Sequence, residues 1–555
     1  MKKLLALLLC VAMVASILVG CSGGQQAATD TTGDTGDNAV QERPEDYVFT
    51  IGVLGNSKVG SYEVNSLTMW LEEQSGYQIE IVTYAGANQA VSEAENGVKM
   101  PDILAGIQMS RATISNLGEG KHFIDLAPYL NDQEKSSIYW GRLNQVDEDT
   151  LGFVKSTMYA EDGKSIYALP TMDYCAYDLI RHSAYINQEW LKKLNLPMPT
   201  NKDELYNVLK AFKNDDPNGN GEPDEIPLYG GATQYGDVIS WIMGMFCYMD
   251  DARTWRVDSE GKLSGFYWDE NYREGLIFLN KLVKEGLLSA DVFNVKSANI
   301  SSMVEPVGDL SKVGIWLGHP TLILYRDSKI VNLYTALPQW GYAVMDMPTM
   351  AGDFITKDCK YPDAAWEILM LMCSQEGAYR MRYGEKGVDW DDADPNTISF
   401  SGVPAEIKVM DQFVFGGYNS KTWNNVLPFL GLANENERTQ YDPNSTEWND
   451  LKLKMMAGVY QANWNRYEEQ GGLPDGVVKP LIYTEAQETQ IKKWQSDTTN
   501  WYTSSRRSFI LGSGELNDPS DPAQWQKYID GFKTTGYSEW LEVAQAAYDA
   551  TYGKQ

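Results

Sequence analysis

The residues with the clearest chemical potential form an acidic, glycine-containing loop at positions 216–227. Oxygen-bearing side chains occupy the first, third, fifth and ninth positions of this loop, and glycine occupies the sixth. An EF-hand loop uses the same alternation, with glycine at a sharp turn and a backbone carbonyl ligand at the seventh position. Because all these donors are hard oxygens, the spacing favours Ca²⁺ over Zn²⁺. The alternative interpretation is a polar turn that binds no metal.

The loop departs from the EF-hand pattern at its twelfth position, where Pro227 replaces the usual bidentate glutamate. Glu225, at the tenth position, is the predicted replacement for that carboxylate. Glu222, at the seventh position, is expected to contribute its backbone carbonyl. A single loop of this kind, placed behind a predicted helix that starts near Thr200, indicates a structural Ca²⁺ rather than a calcium sensor.

The N-terminus carries the features of an export signal. A basic start precedes an apolar run at 4–18, and Gly20 stands immediately before Cys21. This arrangement resembles the bacterial lipobox, in which the cysteine is diacylated and the signal peptide, here residues 1–20, is removed. An ordinary secretory signal with an incidental cysteine is the alternative. We expect a surface protein, anchored by lipid on Cys21 to the outer face of the cytoplasmic membrane.

The composition separates a tether from a large acidic globular part. Residues 21–46 are expected to be flexible, because Gly, Thr, Asp and Gln without apolar periodicity cannot form a core. The chain of 555 residues is too long for one core, so at least two lobes are expected. Its 46 basic and 76 acidic residues give a net charge of −30. No nucleic-acid partner is expected, because phosphate contacts need Lys and Arg.

Strand-like and helix-like segments alternate through the first half of the chain. Residues 48–54 and 77–83 are strand-like, and a predicted helix between them ends at Gly76. Residues 101–106 form a further predicted strand after a helix. This βαβα order is typical of an α/β lobe with a mainly parallel sheet.

Recognisable catalytic motifs are absent from the sequence. The three histidines, His122, His182 and His319, are far apart and form no zinc-protease pair. No nucleophile elbow of the G-x-S-x-G type occurs. Adjacent carboxylates such as Asp391 and Asp392 do not identify a glycosidase, because the fold rather than adjacency pairs its catalytic carboxylates. The sequence therefore predicts that the protein is not an enzyme, with a surface glycan-degrading enzyme as the alternative.

Several segments, taken in order behind the lipobox, resemble the family 1 extracellular solute-binding proteins. These are lipoproteins that serve ABC importers, mainly of carbohydrates. The resemblance covers residues 48–395 and thins beyond them. The segments that carry it are Gly163–Pro170, Ile186–Pro197, Lys284–Leu288, Phe354–Lys357, Tyr361–Trp366 and Tyr383–Trp390.

The resemblance implies a type II, two-lobed periplasmic-binding-protein-like α/β fold, with an interlobe ligand cleft and a multi-strand hinge. One lobe would comprise residues 47–165 and 306–374, and the other residues 166–305 and 375–555. The implied function is capture of an oligosaccharide and its delivery to the permease subunits of an ABC importer, by a membrane-anchored monomer. A receptor for a non-sugar solute such as a peptide is the alternative within this class.

The resemblance also implies a calcium ligand set. Relatives that bind alginate oligosaccharides carry a similar acidic loop that holds calcium. Carried over to this chain, the ligands are Asp216, Asn218, Asn220, Glu222, Asp224 and Glu225.

Aromatic residues are the remaining signal for ligand binding, with 17 Trp and 33 Tyr in the chain. A flat ring covers the apolar face of a sugar, while polar neighbours bond to its hydroxyls. Most of these rings are expected in the core, but those in glycine-rich or polar turns are better candidates. The predicted ligand-binding residues are Trp316, Trp241, Tyr174, Tyr177, Trp390 and Trp423.

Overall fold

The computed structural model describes most of the chain beyond its N-terminal segment. The described ranges are 47–146, 148–174, 183–232, 236–249, 254–319, 328–344, 349–410, 416–432, 438–445 and 447–552. The predicted signal peptide, Cys21 and the tether fall in residues 1–46, and Tyr177 falls in residues 175–182. These predictions therefore lie outside the described residues.

The strands of the described residues have the following bounds, in chain order. They are β1 Val48–Leu54, β2 Gln78–Tyr84, β3 Ile103–Ile107, β4 Leu169–Asp173, β5 Ala184–Asn187, β6 Ile226–Tyr229, β7 Trp255–Val257, β8 Leu263–Gly265, β9 Val313–Leu317, β10 Tyr334–Leu337, β11 Thr349–Ile355, β12 Trp390–Asp392, β13 Ile407–Val409 and β14 Leu430–Gly431.

Helices account for much of the rest. In chain order they are α1 Ser66–Ser75, α2 Ala87–Glu95, α3 Arg111–Glu119, α4 Ala127–Asn131, α5 Ser137–Leu143, α6 Glu148–Met158, α7 Gln188–Lys193, α8 Lys202–Asn214, α9 Val238–Met243, α10 Glu270–Lys284, α11 Ser297–Val304, α12 Ser328–Leu333, α13 Pro362–Met372, α14 Gln375–Tyr383, α15 Trp448–Glu469, α16 Glu485–Leu511, α17 Pro522–Gly531 and α18 Tyr537–Tyr552. Among the described residues, no helix combines the length and apolar character needed to cross a membrane.

The first sheet has six strands in the order β14-β4-β11-β3-β1-β2. Strand β1 pairs in parallel with both β2 and β3, which confirms the predicted parallel βαβ arrangement. Strand β11 runs antiparallel to both β3 and β4, so β4 points the same way as β3. Strand β2 lies on one side of β1 and strand β3 on the other, so the strand order reverses direction at β1. This places a topological switch point between β1 and β3.

Local sequence explains how helix α1 joins the first two strands. The side chain of Asn65 accepts a hydrogen bond from the N–H of Leu67 and caps the helix at its start. The helix ends at Gly76, as predicted, with a φ of 74°. Residues with a Cβ atom rarely adopt this left-handed conformation, so glycine ends the helix at low cost and turns the chain into β2.

The second sheet has four strands in the order β10-β5-β9-β6. Strand β6 runs parallel to β9, whereas β5 runs antiparallel to β9 and β10. Helix α8 covers this sheet with the residues predicted from helical spacing, and all four are buried: Leu205, Val208, Leu209 and Phe212. Helices α10 and α16 pack together on the same core, where the amide of Asn280 donates to the carbonyl of Phe509 at 2.6 Å.

Strand pairing differs from the predicted division into lobes at two places. Strand β4 pairs within the first sheet, although residues after 165 were predicted in the second lobe. Strands β9 and β10 pair within the second sheet, although residues 306–374 were predicted in the first. The physical reason is that the chain leaves the first sheet only after β4 and returns to it at β11. Elsewhere the lobe boundaries stay a prediction.

Candidate functional site: strand ends and an acidic loop

Polar residues gather where the parallel strands of the first sheet end. Strand β1 is followed by Asn56 and Lys58, β3 is followed by Gln108, and β4 ends at Asp173. These strands point the same way, so their carboxyl ends share one edge of the sheet. Ligands of open α/β sheets bind at such an edge, beside the switch point. We call these four residues the strand-end edge and take it as the candidate ligand site.

The turn after β1 is held by a distant segment of the chain. The amide of Asn56 donates to the carbonyl of Asn424 at 2.9 Å, and the ammonium of Lys58 donates to the carbonyl of Gly416 at 2.6 Å. The N–H of Asn419 donates in return to the carbonyl of Lys58 at 2.9 Å. Because hydrogen bonds run in both directions, the two segments form one wall of the strand-end edge.

A charged pair stands at the end of β4. The guanidinium of Arg382, on α14, lies 3.5 Å from a carboxylate oxygen of Asp173, and each side chain is 23% exposed. The next residue, Tyr174, donates its N–H to the carbonyl of Gly431 at 3.0 Å, so the backbone here is fixed in the sheet. A partly exposed carboxylate beside a guanidinium offers acceptors and donors to hydroxyl groups.

The second sheet ends in glycines. Strand β6 is followed by Gly230 and Gly231, and the parallel strand β9 is followed by Gly318. A Cβ atom at Gly230 would lie 2.8 Å from the carbonyl oxygen of Gly236, a distance that real Cβ atoms do not show. Glycine at this position therefore lets two backbone segments approach at the carboxyl end of the second sheet.

The predicted aromatic ligand residues lie in the interior. Trp316, Trp241 and Trp423 have no exposed surface, Trp390 is 2% exposed, and Tyr174 is 6% exposed. A ring without exposed surface cannot stack on a sugar, so in this conformation these four tryptophans act as core residues.

Specific contacts explain why three of these tryptophans are buried. Trp316 lies in a fully buried central strand and stacks on Tyr185, with the ring centroids 4.3 Å apart. The indole N–H of Trp423 donates to the hydroxyl of Thr68 at 2.9 Å. That of Trp390 donates to the backbone carbonyl of residue 384 at 3.0 Å. The partners of Trp316 and Trp423 are distant in sequence, so local patterns did not reveal that these two rings are buried.

The residues at the strand-end edge were missed by the sequence reasoning. Asn56, Gln108 and Asp173 are polar residues at or just past the end of a strand-like segment. That position is a usable signal, because carboxyl ends of parallel strands converge. Arg382 carried no such signal, since its place beside Asp173 depends on long-range packing.

The acidic loop begins at Asp216, two residues after α8 ends. The two carboxylate oxygens of Asp216 accept hydrogen bonds from the N–H groups of Gly219, at 2.8 Å, and Gly221, at 3.1 Å. Both glycines have positive φ, 76° and 80°. The first carboxylate thus organises the loop backbone around itself, and the glycines permit the tight curvature.

The ninth-position carboxylate is engaged with protein groups. The side-chain amides of Asn218 and Asn220 donate to one oxygen of Asp224 at 3.1 and 3.2 Å. Its other oxygen lies 2.7 Å from the ammonium of Lys312. These contacts lower the pKa of Asp224, with the Lys312 interaction as the largest cause. Lys312 thus competes with any cation for this predicted ligand.

Glu225 provides the clearest indication of a cation. Its Oε1 atom is buried and finds no hydrogen-bond partner in the part of the chain that the structure describes. Burial, followed by the nearby carboxylates of Asp216 and Asp224, raises the pKa of Glu225. A buried carboxylate oxygen beside further carboxylates fits a hard cation, which would satisfy the oxygen and offset the repulsion. No group of three or more His, Cys, Asp or Glu arranged to hold a metal is found among the described residues.

Two curated proteins are similar to this chain over part of its length. The fructooligosaccharide ABC transporter substrate-binding protein FusA of Streptococcus pneumoniae is 36% identical over 230 residues, which are 40% of this chain and 41% of FusA. Lipoprotein LipO of Bacillus subtilis is 31% identical over 238 residues, which are 41% of this chain and 42% of LipO. The matches thus span about two fifths of these relatives. No family model matches the sequence.

Solved structures match the fold over nearly the whole chain. A solute-binding protein of Bifidobacterium longum infantis, associated with an ABC transporter and binding human milk oligosaccharides (HMO), has a TM-score of 0.70 at 18% identity. The match covers 92% of this chain and 99% of that one. An EF-hand mutant of FusA in complex with fructo-nystose has a TM-score of 0.65 at 19% identity, covering 91% and 99%. The predicted resemblance to carbohydrate solute-binding proteins is thus confirmed, and the chain has their two-lobed α/β fold.

Proposed function

We propose that this protein captures an oligosaccharide at the strand-end edge and delivers it to the permease of an ABC importer. The observation that carries the proposal is the 36% identity to FusA, a fructooligosaccharide-binding protein, within a fold that matches carbohydrate solute-binding proteins over 92% of the chain. Fold alone does not fix a ligand, so the chemistry of the edge has to agree.

The chemistry of the strand-end edge agrees with a sugar ligand. Asp173 and Arg382 are partly exposed and together offer a charged acceptor and a planar set of donors. Asn56 and Gln108 add amides on neighbouring strand ends. Sugar hydroxyls both donate and accept, so mixed polar groups at fixed positions suit them better than a single sign of charge. The related binding proteins are not enzymes, and we assign no catalytic residue.

A glycan panel tests this function directly. Isothermal titration calorimetry of the purified protein against fructooligosaccharides, human milk oligosaccharides and pectin or alginate oligosaccharides should show saturable binding of at least one series. A peptide library serves as the matched comparison. Binding of peptides without any glycan would replace the sugar assignment with a peptide receptor. Turnover of a bound glycan would instead support the surface enzyme.

We also propose that the protein is a monomer held at the cell surface by lipid on Cys21. The lipobox-like sequence supports this, and the related LipO is named a lipoprotein. Cys21→Ala should release the protein into the medium, and labelling with a fatty-acid analogue should be lost. Retention of the Cys21→Ala variant in the membrane fraction would contradict the anchor.

Finally, we propose that the acidic loop binds one structural Ca²⁺. The buried Oε1 of Glu225, the backbone arrangement around Asp216 and the existence of an EF-hand mutant of FusA support this proposal. Asp216, Asn218, Asn220 and Glu225 would supply side-chain oxygens, and Glu222 its backbone carbonyl. Asp224 would join them only by exchanging Lys312 for the ion. The bound cation would tie α8 to β6 and screen the loop carboxylates from one another.

A further inference from the structure

The wall of the strand-end edge carries an exposed aromatic ring that is not among the predicted ligand residues. Tyr418 is 77% exposed, more than any other large hydrophobic side chain in the described part of the chain. Two residues before it, the carbonyl of Gly416 accepts a hydrogen bond from the ammonium of Lys58. One residue after it, the N–H of Asn419 donates to the carbonyl of Lys58. Tyr418 therefore lies between two hydrogen bonds that both end on a residue of the strand-end edge.

The segment that follows Tyr418 is bonded to the stretch of chain between β1 and α1. The N–H of Gly60 donates to the carbonyl of Asn419 at 2.7 Å. The N–H of Ser66, the first residue of α1, donates to the carbonyl of Ser420 at 3.0 Å. The backbone beside the ring is thus held by the first sheet and its first helix.

The backbone on the other side of Tyr418 is held by two asparagines. The side chain of Asn424 accepts the N–H of Gly416 at 2.7 Å and donates to the carbonyl of Gly417 at 2.8 Å. The side-chain amide of Asn419 donates to the same carbonyl at 3.0 Å. Because the turn is already closed around Tyr418, a ligand would have to order only the side chain of this residue, which keeps the entropic cost of binding low.

Gly60 leaves room for the ring of Tyr418. A Cβ atom at Gly60 would lie 3.3 Å from the hydroxyl oxygen of Tyr418 and 2.7 Å from that of Ser420. The second distance is shorter than real Cβ atoms show, so a side chain at this position would displace its neighbours. The absence of one lets the hydroxyl end of the ring rest near the backbone that follows β1, while most of the ring surface stays open.

A single exposed ring is ordinary on a protein surface, but the position of this one is informative. The segment that carries Tyr418 also holds the strand-end edge at a second place, where the amide of Asn56 donates to the carbonyl of Asn424. The four residues of the strand-end edge supply only polar groups. Tyr418 adds the apolar surface that the face of a sugar ring requires beside such groups.

We infer that Tyr418 is the ring on which one sugar residue of the captured oligosaccharide stacks at the strand-end edge. This inference rests on the proposed function. The contact is between the face of the aromatic ring and the C–H face of the sugar, so the ring and not the phenolic hydroxyl carries the affinity.

Calorimetry with each glycan that the wild-type protein binds tests the inference. Tyr418→Ala should weaken binding about two- to tenfold, the effect expected for one lost aromatic contact. Tyr418→Phe keeps the ring and removes only the hydroxyl, so it should bind like the wild type. Both variants should melt at the wild-type temperature, because substitutions of exposed side chains have little effect on stability.

The control is Tyr552→Ala, which removes another exposed tyrosine, on α18, whose hydroxyl donates to the carbonyl of Pro480 at 3.2 Å. This variant should bind every glycan like the wild type. Wild-type affinity of Tyr418→Ala would overturn the stacking role while leaving the proposed function intact. An equal loss in Tyr418→Ala and Tyr418→Phe would assign the contact to the hydroxyl and would also overturn it. If the wild type binds no glycan, both the function and the inference fail.

Discussion

The carboxylate of Glu161 accepts a hydrogen bond from the backbone N–H of Glu485 at 2.7 Å. Glu161 follows α6, beside the first sheet, whereas Glu485 begins α16, which packs on α10 beside the second. A carboxylate at a helix N-terminus is favoured by the exposed N–H groups and the helix dipole. The bond therefore joins an element beside the first sheet to one beside the second.

Glu488, one turn into α16, makes this contact sensitive to pH. Burial, and then the carboxylates of Glu161 and Glu485, raise its pKa above the ordinary value of 4.5. Because its pKa is raised by folding, Glu488 makes its full contribution to the stability of the folded state below pH 4.5. This contribution is lost as the pH rises through the folded-state pKa of Glu488. Glu488→Gln should therefore raise the melting temperature at pH 7 and give little gain at pH 4. Glu539→Gln, at an exposed position on α18, is the control, and an equal shift at both pH values would contradict the assignment.

Asp353 is a second buried carboxyl group, in β11. One oxygen accepts the N–H of Gly106 at 2.7 Å, while the other is buried and has no hydrogen-bond partner among the residues described. Burial raises the pKa of Asp353 well above 3.8, so its contribution to stability is full at low pH and is lost as the pH rises.

Asp353→Asn tests this behaviour, because the amide keeps an oxygen for Gly106 and cannot ionise. The difference in melting temperature, variant minus wild type, should increase from pH 4 to pH 8. Chemical denaturation at the same pH values gives an independent measure. A difference that is constant over this range would show that Asp353 does not titrate on unfolding.

Calcium should stabilise the protein through the acidic loop. An ion that binds only the folded state adds about 2.7 kcal/mol to the free energy of unfolding at a concentration one hundred times its Kd. Chelation should therefore lower the melting temperature of the wild type. Asp216→Ala and Glu225→Ala should remove the effect of chelator, whereas Glu222→Ala should retain it, since that residue is expected to use its backbone carbonyl. A wild-type melting curve that is unchanged by chelator, together with no calcium in elemental analysis, would exclude the ion.

Local features of the fold were predictable from sequence, because they depend on neighbours along the chain. The strand at Val48–Leu54 and the helix end at Gly76 follow from apolar patterning and from a left-handed φ that glycine adopts easily. Pro362 likewise begins α13, where its missing N–H costs no hydrogen bond.

Features that depend on contacts between distant segments were not predictable in this way. The sequence around Trp316 was interpreted as a glycine-rich turn, yet the apolar run Val313–Leu317 is a fully buried strand. A short apolar run between turn residues is consistent with a fully buried strand, but its periodicity alone does not assign it. The Asp173–Arg382 pair joins residues more than two hundred positions apart. The place where the chain leaves the first sheet, after β4, likewise depends on the pairing of β4 with the distant strand β11.

Burial changes the expected effect of substituting Trp316. Its side chain has no exposed surface and stacks on Tyr185, so Trp316→Ala should lower the free energy of unfolding by ~3–5 kcal/mol, the usual result of removing a large aromatic side chain from a core. Trp316→Phe should lower it less. Urea denaturation measures both values, and a stability equal to that of the wild type would return Trp316 to the list of surface candidates.

Asp173→Asn tests the strand-end edge without disturbing the core. The substitution keeps the shape of the side chain and removes the charge 3.5 Å from Arg382, where both groups are 23% exposed. Partly exposed ion pairs contribute little to stability, so the melting temperature should stay close to that of the wild type. Hydrogen bonds to charged groups contribute about 1.5–3 kcal/mol, so glycan affinity should fall at least about tenfold. Asp530→Asn, which breaks the exposed pair between Asp530 on α17 and Lys533 just beyond that helix, is the matched control and should bind normally. If Asp173→Asn binds every glycan of the panel as tightly as the control does, the ligand site lies elsewhere.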